Sequence, residues 1–224
     1  SAEHLFGTDD IGRDIFTRVI YGSRISLKIA LVAQTLSLSV GLVFGLIAGF
    51  YGGWIDTVLM RIVDIIMSFP VLIIAIALIA ALGANENNII LALAVVSWPV
   101  VTRLTRSQVL ALKEREYITA ARSLGAGDFA IMFRHLLPNM LTPLIVYATL
   151  GIGGTILAEA ALSFIGLGGA NQAAPSWGKM LTESRAFIRL AWWMPFYPGM
   201  AILLTVLGFN LLGDGLRDIL DVSE

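Results

Sequence analysis

Long apolar stretches alternate with short polar ones along most of this chain. The apolar stretches cover residues 27–50, 54–82, 89–112, 139–167 and 194–212. Because a helix rises about 1.5 Å per residue, about 20 apolar residues cross the hydrocarbon core of a bilayer, which is roughly 30 Å thick. The pattern therefore predicts an all-α membrane protein with five membrane-spanning helices.

The two polar ends of the chain are expected to lie on opposite sides of the membrane. Residues 1–26 form an exterior segment whose charge spacing predicts a short surface helix that begins near Asp9 or Asp10. Residues 214–224 are polar and are assigned to a cytoplasmic tail. The chain opens with Ser1, without the basic and apolar regions of a signal peptide, so we expect the natural N-terminus to lie further upstream.

Two polar stretches interrupt the transmembrane domain, which is predicted to cover residues 27–213. Residues 166–193 form an exterior loop, and residues 177–190 within it are expected to form an amphipathic helix on the membrane surface. Residues 114–138 form a second loop. The interval 103–135 contains six Lys and Arg residues, and the positive-inside rule favours a cytoplasmic position for it. Six other basic residues would then lie outside, so charge alone gives only a weak bias toward this orientation: Arg13, Arg18, Arg24, Lys179, Arg185 and Arg189.

Composition supports the membrane interpretation and excludes several kinds of chemistry. Hydrophobic residues make up 57% of the chain and charged residues 14%, with a mean hydropathy of +0.83, which lies outside the range of soluble domains. The chain contacts lipid, and a net charge of −1 without a basic tract argues against a nucleic-acid partner. With no cysteine, and with His4 and His135 far apart, we expect no metal site. No G-x-x-x-x-G-K-[ST] motif occurs, so we expect neither catalytic residues nor a bound cofactor on this chain.

Charges fall within apolar stretches at Asp56, Arg61, Asp64 and Glu159, where charge is costly unless it is paired or hydrated. Asp56, Arg61 and Asp64 lie in the second stretch, and we expect Arg61 and Asp64 to form a structural ion pair at i, i+3. The alternative is that Asp64 pairs with Arg103 on the next helix. Glu159 lies in the fourth stretch and is expected to be a hydrogen-bonded structural carboxylate.

Small residues and a proline mark two further features of the spans. Gly41, Gly45 and Gly49 recur every four residues, which lets a partner helix approach closely, and a second membrane subunit is a candidate for that partner. The alternative is that membrane helices simply tolerate glycine. Pro70 is expected to kink or break the second span.

The loop at residues 114–138 has its own periodicity. Tyr117, Ala120, Ala121 and Leu124 recur at i, i+3, i+4 and i+7 and so form one stripe on a helix. Gly125 follows where a left-handed helix cap is needed. A second helical stripe is expected before Pro138 starts the next element, formed by Phe129, Met132, Phe133, Leu136 and Leu137. An ordinary amphipathic connector between membrane helices would show the same composition.

The loop resembles the cytoplasmic "EAA" loop of ABC-importer permeases, whose pattern is E-A-A, three residues, G, nine residues, I-x-L-P. Five residues match at that spacing: Ala120, Ala121, Gly125, Leu137 and Pro138. Thr119 stands where the family has Glu, and His135 stands where it has Ile. The resemblance implies contact with an ATP-binding subunit through Tyr117, Thr119, Ala120, Ala121, Leu124, Gly125, Leu137 and Pro138.

Further motifs spread the resemblance over nearly the whole chain. They are GTDDIGRD, FYGGWID, LAEAALSFIGLG, PSWGKML and FNLLGDGLRDILD. The chain is similar to the C-type permease subunit of dipeptide, oligopeptide and nickel ABC importers, and we expect it to lack that subunit's first transmembrane helix. The resemblance implies a type I importer core with a cytoplasmic coupling-helix loop, in a bacterial or archaeal cytoplasmic membrane.

The resemblance also implies partners and a substrate. The partners are a homologous second permease subunit, two ATP-binding subunits that hold ATP and Mg²⁺, and an extracytoplasmic solute-binding protein. The implied substrate is a di- or oligopeptide. Nickel or another small solute is the alternative substrate, although no intramembrane His, Cys or Met cluster offers metal ligands. An ATP-independent secondary transporter is the less favoured alternative function, because we see neither a relay of buried charges nor a clear internal repeat.

Overall fold

The structure, a computed structural model, describes residues 3–168 and 175–221, and this part of the chain is almost entirely helical. Short connections join nine α-helices in the described ranges. Their bounds are α1 Ile15–Tyr51, α2 Gly53–Met67, α3 Val71–Leu82, α4 Glu86–Lys113, α5 Glu116–Ser123, α6 Asp128–Ala130, α7 Leu137–Leu162, α8 Trp177–Ser184 and α9 Trp193–Asp221. Two π-helical segments, Ile131–Leu136 and Ser163–Leu167, flank α7, and a 3-10 turn, Arg185–Phe187, follows α8.

The helix expected near Asp9 or Asp10 begins instead at Ile15 and is continuous with the first span. The Asp9 carboxylate accepts hydrogen bonds from the backbone N–H groups of Ile11, at 3.1 Å, and Arg13, at 2.8 Å. These bonds hold a turn that passes through Gly12, whose φ is +85°. Asp14 then caps α1 by accepting from the Thr17 N–H at 2.7 Å. The local bonds of Asp9 therefore compete with helix formation before residue 15.

The second apolar stretch is two helices rather than one kinked span. α2 and α3 meet at 87° across residues 68–70. Pro70 supplies no N–H group to a helix, and its ring disfavours helical geometry at Phe69, so the expected break is confirmed at Pro70. Among the residues that the structure describes, four helical segments are long and apolar enough to cross a membrane, or five if the bent pair counts as one span.

The glycines of the first span face a helix of the same chain. α1 packs along α4, and a Cβ added at Gly41, Gly45 or Gly49 would lie closer than 3.0 Å to atoms of α4. The side chains met are those of Val101, Thr105 and Val109 in turn. The expected close packing is confirmed, but a second subunit as the partner of this stripe is wrong, because α4 already fills the groove.

Helix ends differ from those expected in the later half of the chain. Residues 128–167 form one helical span, so the second stripe of the loop is continuous with the fourth span instead of ending before Pro138. α9 runs from Trp193 to Asp221, so most of the expected polar tail is helical. In the described ranges the apolar side chains of the bundle gather in three buried clusters, one of which lies beneath α5.

The amphipathic helix expected at residues 177–190 ends at Ser184 and packs on protein. Trp177 is 3% exposed and Met180 is 5% exposed, and both join a cluster built from α1, α7 and α9. The Trp177 indole N–H donates to the Val19 carbonyl at 2.9 Å. The apolar face of α8 is therefore buried in the protein, and the expectation that this helix rests on the membrane surface through that face is wrong.

Candidate functional site

α5 is fixed to the end of the bundle by a single buried side chain. Ile118 is 1% exposed and packs in a cluster with Phe50, Val109, Ile131 and Leu136. These residues come from α1, α4 and the π-helical segment before α7. α5 is therefore attached at once to three long elements of the bundle.

The predicted stripe faces away from the bundle along most of its length, and we call it the α5 stripe: Tyr117, Ala120, Ala121 and Leu124. Tyr117 is 41% exposed, Leu124 is 90% exposed and Ala120 is also exposed, whereas Ala121 is half-buried. Tyr117, Ala120 and Leu124 therefore expose a continuous apolar stripe, and contiguous exposed apolar surface marks sites of interaction. The structure thus brings the predicted stripe together on one helix and leaves it uncovered in this chain.

Gly125 ends α5 as predicted. Its φ is +85°, in the left-handed region that glycine adopts without strain. The Ala126 N–H donates to the Ala121 carbonyl at 3.0 Å and the Gly125 N–H to the Arg122 carbonyl at 2.9 Å, the pair of bonds of a Schellman motif. A Cβ at Gly125 would meet no atom within 4 Å, so the requirement for glycine here is conformational in this chain.

The other residues assigned to the EAA-like pattern differ in how far they are exposed. Thr119 is exposed, and its carbonyl accepts the Ser123 hydroxyl at 3.0 Å. Leu137 is half-buried and Pro138 is exposed, in the first turn of α7. The rings of Tyr117 and His135 lie 6.5 Å apart and connect α5 to the start of the fourth span.

The second predicted stripe of the loop divides into two faces. Met132 and Leu136 are buried in the cluster under α5. Phe129 and Phe133 are 70% and 46% exposed, and their ring centroids lie 4.3 Å apart. Sequence periodicity placed these residues on one stripe because it assumed an α-helix, whereas residues 131–136 are π-helical.

Two ion pairs join α2 to α4. Arg106 binds Asp56 through Nε, at 2.5 Å, and Nη2, at 2.6 Å. Arg103 Nη2 lies 2.5 Å from Asp64 Oδ1. The expected Arg61–Asp64 pair is wrong, and the alternative, in which Asp64 pairs with Arg103, is confirmed. Arg61 is exposed and makes no salt bridge with any residue of the described ranges. Sequence reasoning missed the partner of Asp56, which depends on how α2 and α4 are aligned.

Glu159 is a hydrogen-bonded carboxylate, as predicted. It is 1% exposed, and it accepts from the Ser163 hydroxyl at 2.7 Å and the Ser26 hydroxyl at 3.3 Å. Ser176 contributes a further side-chain hydrogen bond. The Ser26 oxygen in turn accepts the Trp177 N–H at 3.2 Å, so this cluster ties α1 and α7 to α8.

A charge cluster joins the N-terminal segment to α8. Asp9 accepts from Arg13 at 2.6 Å and Arg18 at 3.0 Å, and Glu183 accepts from Arg18 at 2.5 Å. Burial acts to raise the pKa of the Asp9 carboxyl, but its hydrogen bonds from Arg13 and Ile11 outweigh burial and lower that pKa below 3.8. Sequence patterns did not indicate this cluster, because its bonded partners lie up to 170 residues apart.

Two cavities lie along one face of α7. The larger is an open cleft of about 760 Å³ that reaches Arg115 and Pro138, next to the start of α5. The smaller, of about 220 Å³, is also open and is lined by residues of α1, α3, α4 and α7. Tyr147 lines both cavities. Within the described ranges, no group of three or more His, Asp or Glu side chains is placed to hold a metal ion.

These features define a polytopic helical membrane protein that carries one short, firmly anchored helix with an exposed apolar stripe beyond its bundle. Residues 41–223 match the family model described as "Binding-protein-dependent transport system inner membrane component". The chain belongs to this family of inner-membrane transport components.

Relatives in the same family are similar over nearly the whole chain. The dipeptide transport system permease protein DppC of Alkalihalophilus pseudofirmus is 53% identical over 99% of this chain and 72% of its own length. The glutathione transport system permease protein GsiD of Pectobacterium atrosepticum is 45% identical over 99% of this chain and 73% of its own length. The di/tripeptide permease DppC of Pseudomonas aeruginosa is 46% identical over 98% of this chain and 72% of its own length.

Solved structures show the same fold at low sequence identity. An inward-facing MetNI methionine ABC transporter chain has a TM-score of 0.70 at 20% identity, covering 89% of this chain and 94% of that one. A chain of an amino acid ABC transporter has a TM-score of 0.64 at 19% identity, covering 93% of this chain and 95% of that one. The fold is that of type I ABC-importer permeases, as the sequence predicted.

Proposed function

We propose that this chain is the membrane-spanning subunit of an ATP-driven importer that carries short peptides into the cell. Permeases named for dipeptides, di/tripeptides and glutathione are 45–53% identical to it over at least 98% of its length. Their named substrates share the peptide bond, so short peptides are the substrate class that these similarities favour. Nickel remains an alternative that no residue cluster of the described chain supports.

The observation that carries the mechanism is the attachment of α5. Its exposed face, formed by Tyr117, Ala120 and Leu124, is open to a partner, while Ile118 on its other face is buried against α1, α4 and the start of the fourth span. A force applied to α5 from outside is therefore transmitted to several spans at once. We assign the α5 stripe, with Thr119, Gly125, Leu137 and Pro138, to contact with an ATP-binding subunit.

The proposed assembly contains this chain, a homologous second permease, two ATP-binding subunits and an extracytoplasmic peptide-binding protein. It lies in a bacterial or archaeal cytoplasmic membrane, with α5 on the cytoplasmic side. ATP and Mg²⁺ bind to the ATP-binding subunits, and this chain itself holds no cofactor. ATP binding draws those subunits together and moves α5, which shifts the bundle between two packings. The coupling free energy between the nucleotide and peptide sites passes through α5.

A charge placed on the stripe tests this proposal. Ala120→Asp puts a carboxylate where the two surfaces approach closely, and we expect ATP-dependent uptake to fall at least tenfold in membranes that contain normal amounts of the chain. Ser123→Asp is the matched control, because it adds the same charge to the same helix outside the stripe, at a side chain that bonds only to its own helix. Equal uptake by both variants would contradict the assignment of the stripe.

A further inference from the structure

Two exposed stripes run side by side along α2 and its C-terminal end. Within α2, all of which the structure describes, only Val63 is buried. One exposed stripe is apolar: Trp54, Val58, Ile62, Ile65 and Phe69. The other is polar and recurs at i, i+4, i+7 and i+11: Thr57, Arg61, Asp64 and Ser68. Both lie in the second apolar stretch, where lipid can cover the apolar stripe but offers no hydrogen bonds to the polar one.

The polar stripe continues onto α4 through an ion pair. Asp64 pairs with Arg103, and their side chains are 47% and 48% exposed. Ser107 and Ala111 follow Arg103 at i+4 and i+8 on α4 and are exposed as well. Ala111 also lines the open cleft of about 760 Å³ beside α7. We call the polar part of this region the α2–α4 polar surface: Thr57, Arg61, Asp64, Ser68, Arg103 and Ser107.

Arg61 gives the α2–α4 polar surface an uncompensated positive charge. It is exposed and forms no salt bridge with any residue that the structure describes, whereas Asp64 and Arg103 offset one another. Hydrocarbon supplies neither a counter-ion nor hydrogen bonds, so an arginine within an apolar stretch requires water or an anionic partner. A guanidinium presents its N–H groups as a planar fork that matches a carboxylate. The surface therefore suits one carboxylate and repels a metal cation.

The proposed substrate class carries such a carboxylate. The peptides for which the relatives are named differ in their side chains but share a free C-terminal carboxylate. A site that binds this group accepts short peptides regardless of their side chains. The open cleft that adjoins the surface at Ala111 gives water, and a small solute, a way to reach it.

From this arrangement we propose that Arg61 binds the C-terminal carboxylate of a peptide as it crosses the membrane, and that the α2–α4 polar surface forms that part of the wall of the peptide's path. The inference rests on the proposed function. The phosphate of a phospholipid is the competing anion, and the experiments below separate it from the peptide.

The first test asks whether the surface lies in water and attracts anions. The chain has no cysteine, so Thr57→Cys places a single thiol of this subunit one turn from Arg61, and Val58→Cys places one beside it on the apolar stripe. The complete transporter, with no reactive cysteine in its other subunits, would be treated in proteoliposomes with an anionic and a cationic methanethiosulfonate reagent. We expect Thr57→Cys to react at least tenfold faster than Val58→Cys.

The charge of Arg61 should also set which reagent reacts faster. We expect Arg61→Gln to lower the ratio of anionic to cationic reaction rates at Thr57→Cys about threefold, because one charge is removed within a Debye length of the thiol. Equal rates at Thr57→Cys and Val58→Cys would place the surface in lipid and overturn the proposal. A ratio that Arg61→Gln leaves unchanged would overturn it as well.

The second test separates a peptide from a lipid phosphate. We expect peptide-loaded binding protein with ATP to slow the reaction of Thr57→Cys at least threefold, compared with peptide-free binding protein with ATP. Arg61→Gln should abolish this protection, and Arg61→Lys should retain part of it, because lysine keeps the charge but lacks the planar fork. Absent protection, or protection that survives Arg61→Gln, would overturn the proposal in favour of a lipid or a purely structural role.

The third test measures dipeptide uptake by the same proteoliposomes. We expect Arg61→Gln to lower the uptake rate at least fivefold, the effect of a lost charge-assisted hydrogen bond to substrate. Val58→Ala is the control, because it shortens a neighbouring side chain of the apolar stripe, and its uptake should stay within twofold of wild type. Uptake by Arg61→Gln that equals that of Val58→Ala would overturn the assignment of Arg61 alone. A wild-type transporter that imports no peptide would refute the proposed function itself, and the first test, which needs no peptide, keeps the two failures distinct.

Discussion

Arg106 and Asp56 lie 50 residues apart in the sequence and meet as a two-point ion pair that joins α4 to α2. Their side chains are 31% and 19% exposed, so both are largely removed from solvent. Arg103 and Asp64 form a second, more exposed pair between the same helices. The two pairs fix the alignment of α2 against α4, the helix that leads directly into the loop carrying α5.

Breaking the Arg106–Asp56 pair should destabilise the bundle. Asp56→Ala leaves the Arg106 guanidinium without its partner, and we expect a loss of about 1–3 kcal/mol, measured as a lower thermal midpoint of the purified transporter. The exchanged variant Asp56→Arg with Arg106→Asp should regain at least half of the lost midpoint. Arg61→Ala serves as the control, because Arg61 forms no salt bridge in the described ranges, and a shift as large as that of Asp56→Ala would contradict this account.

Removing the anchor of α5 should loosen that helix without unfolding the bundle. Ile118→Ala deletes a fully buried side chain, a change that costs about 2–5 kcal/mol in well-packed cores. We expect hydrogen exchange of the backbone amides in residues 116–124 to rise at least tenfold, with little change in α1 or α4.

Ser123→Ala is the matched control for the exchange measurement, because it removes only a hydroxyl that bonds within α5. Unchanged exchange in Ile118→Ala would show that other contacts hold α5 in place. It would also remove the basis for treating α5 as a rigid connection to the spans.

The ion pairs of Asp9 should make part of the folding stability depend on pH. The pKa of the Asp9 carboxyl is lower in the folded protein than the ordinary 3.8. The contribution of Asp9 to the free energy of unfolding is therefore complete above about pH 4 and is lost as pH falls through the pKa of the folded state. We expect Asp9→Asn to lower the thermal midpoint at pH 7, and the gap from wild type to shrink below about pH 4. Asp10→Asn, at the exposed neighbouring carboxylate, should leave the midpoint nearly unchanged at both pH values. A gap that grows in acid would refute this interpretation.

The proposed orientation places α5 and α8 on opposite sides of the membrane. Because the chain lacks cysteine, Ser123→Cys and Ala186→Cys each introduce a single thiol at an exposed position. In intact cells, a membrane-impermeant maleimide should label Ala186→Cys, and it should label Ser123→Cys only after the cells are opened. Labelling of both thiols from outside would contradict the orientation.

Hydropathy and turn chemistry predicted much of this fold, because both act locally along the chain. The break at Pro70 and the left-handed cap at Gly125 depend on the conformations that single residues allow. The start of α1 was missed because the carboxylate of Asp9 forms competing bonds to its own loop. A helix that begins at Ile15 could be found only by weighing those bonds against helix propensity.

Contacts between distant segments could not be derived from the sequence. The glycine stripe predicted close packing, but the helix that fills it became apparent only from the alignment of α1 with α4. The partner of Asp56 could not be derived either, because several arginines were available to it. At the candidate site, periodicity predicted the exposed face of α5. The anchoring role of Ile118 could be recognised only from the three elements that surround it.

The most direct test of the central claim is ATP-dependent uptake by the complete transporter. The full-length chain would be reconstituted in proteoliposomes with its second permease and two ATP-binding subunits, and a radiolabelled dipeptide would be supplied with its binding protein. We predict uptake that requires both ATP and the binding protein, and ATP hydrolysis that rises when the binding protein carries peptide. Dipeptide uptake that proceeds at the same rate without ATP or the ATP-binding subunits would contradict the claim.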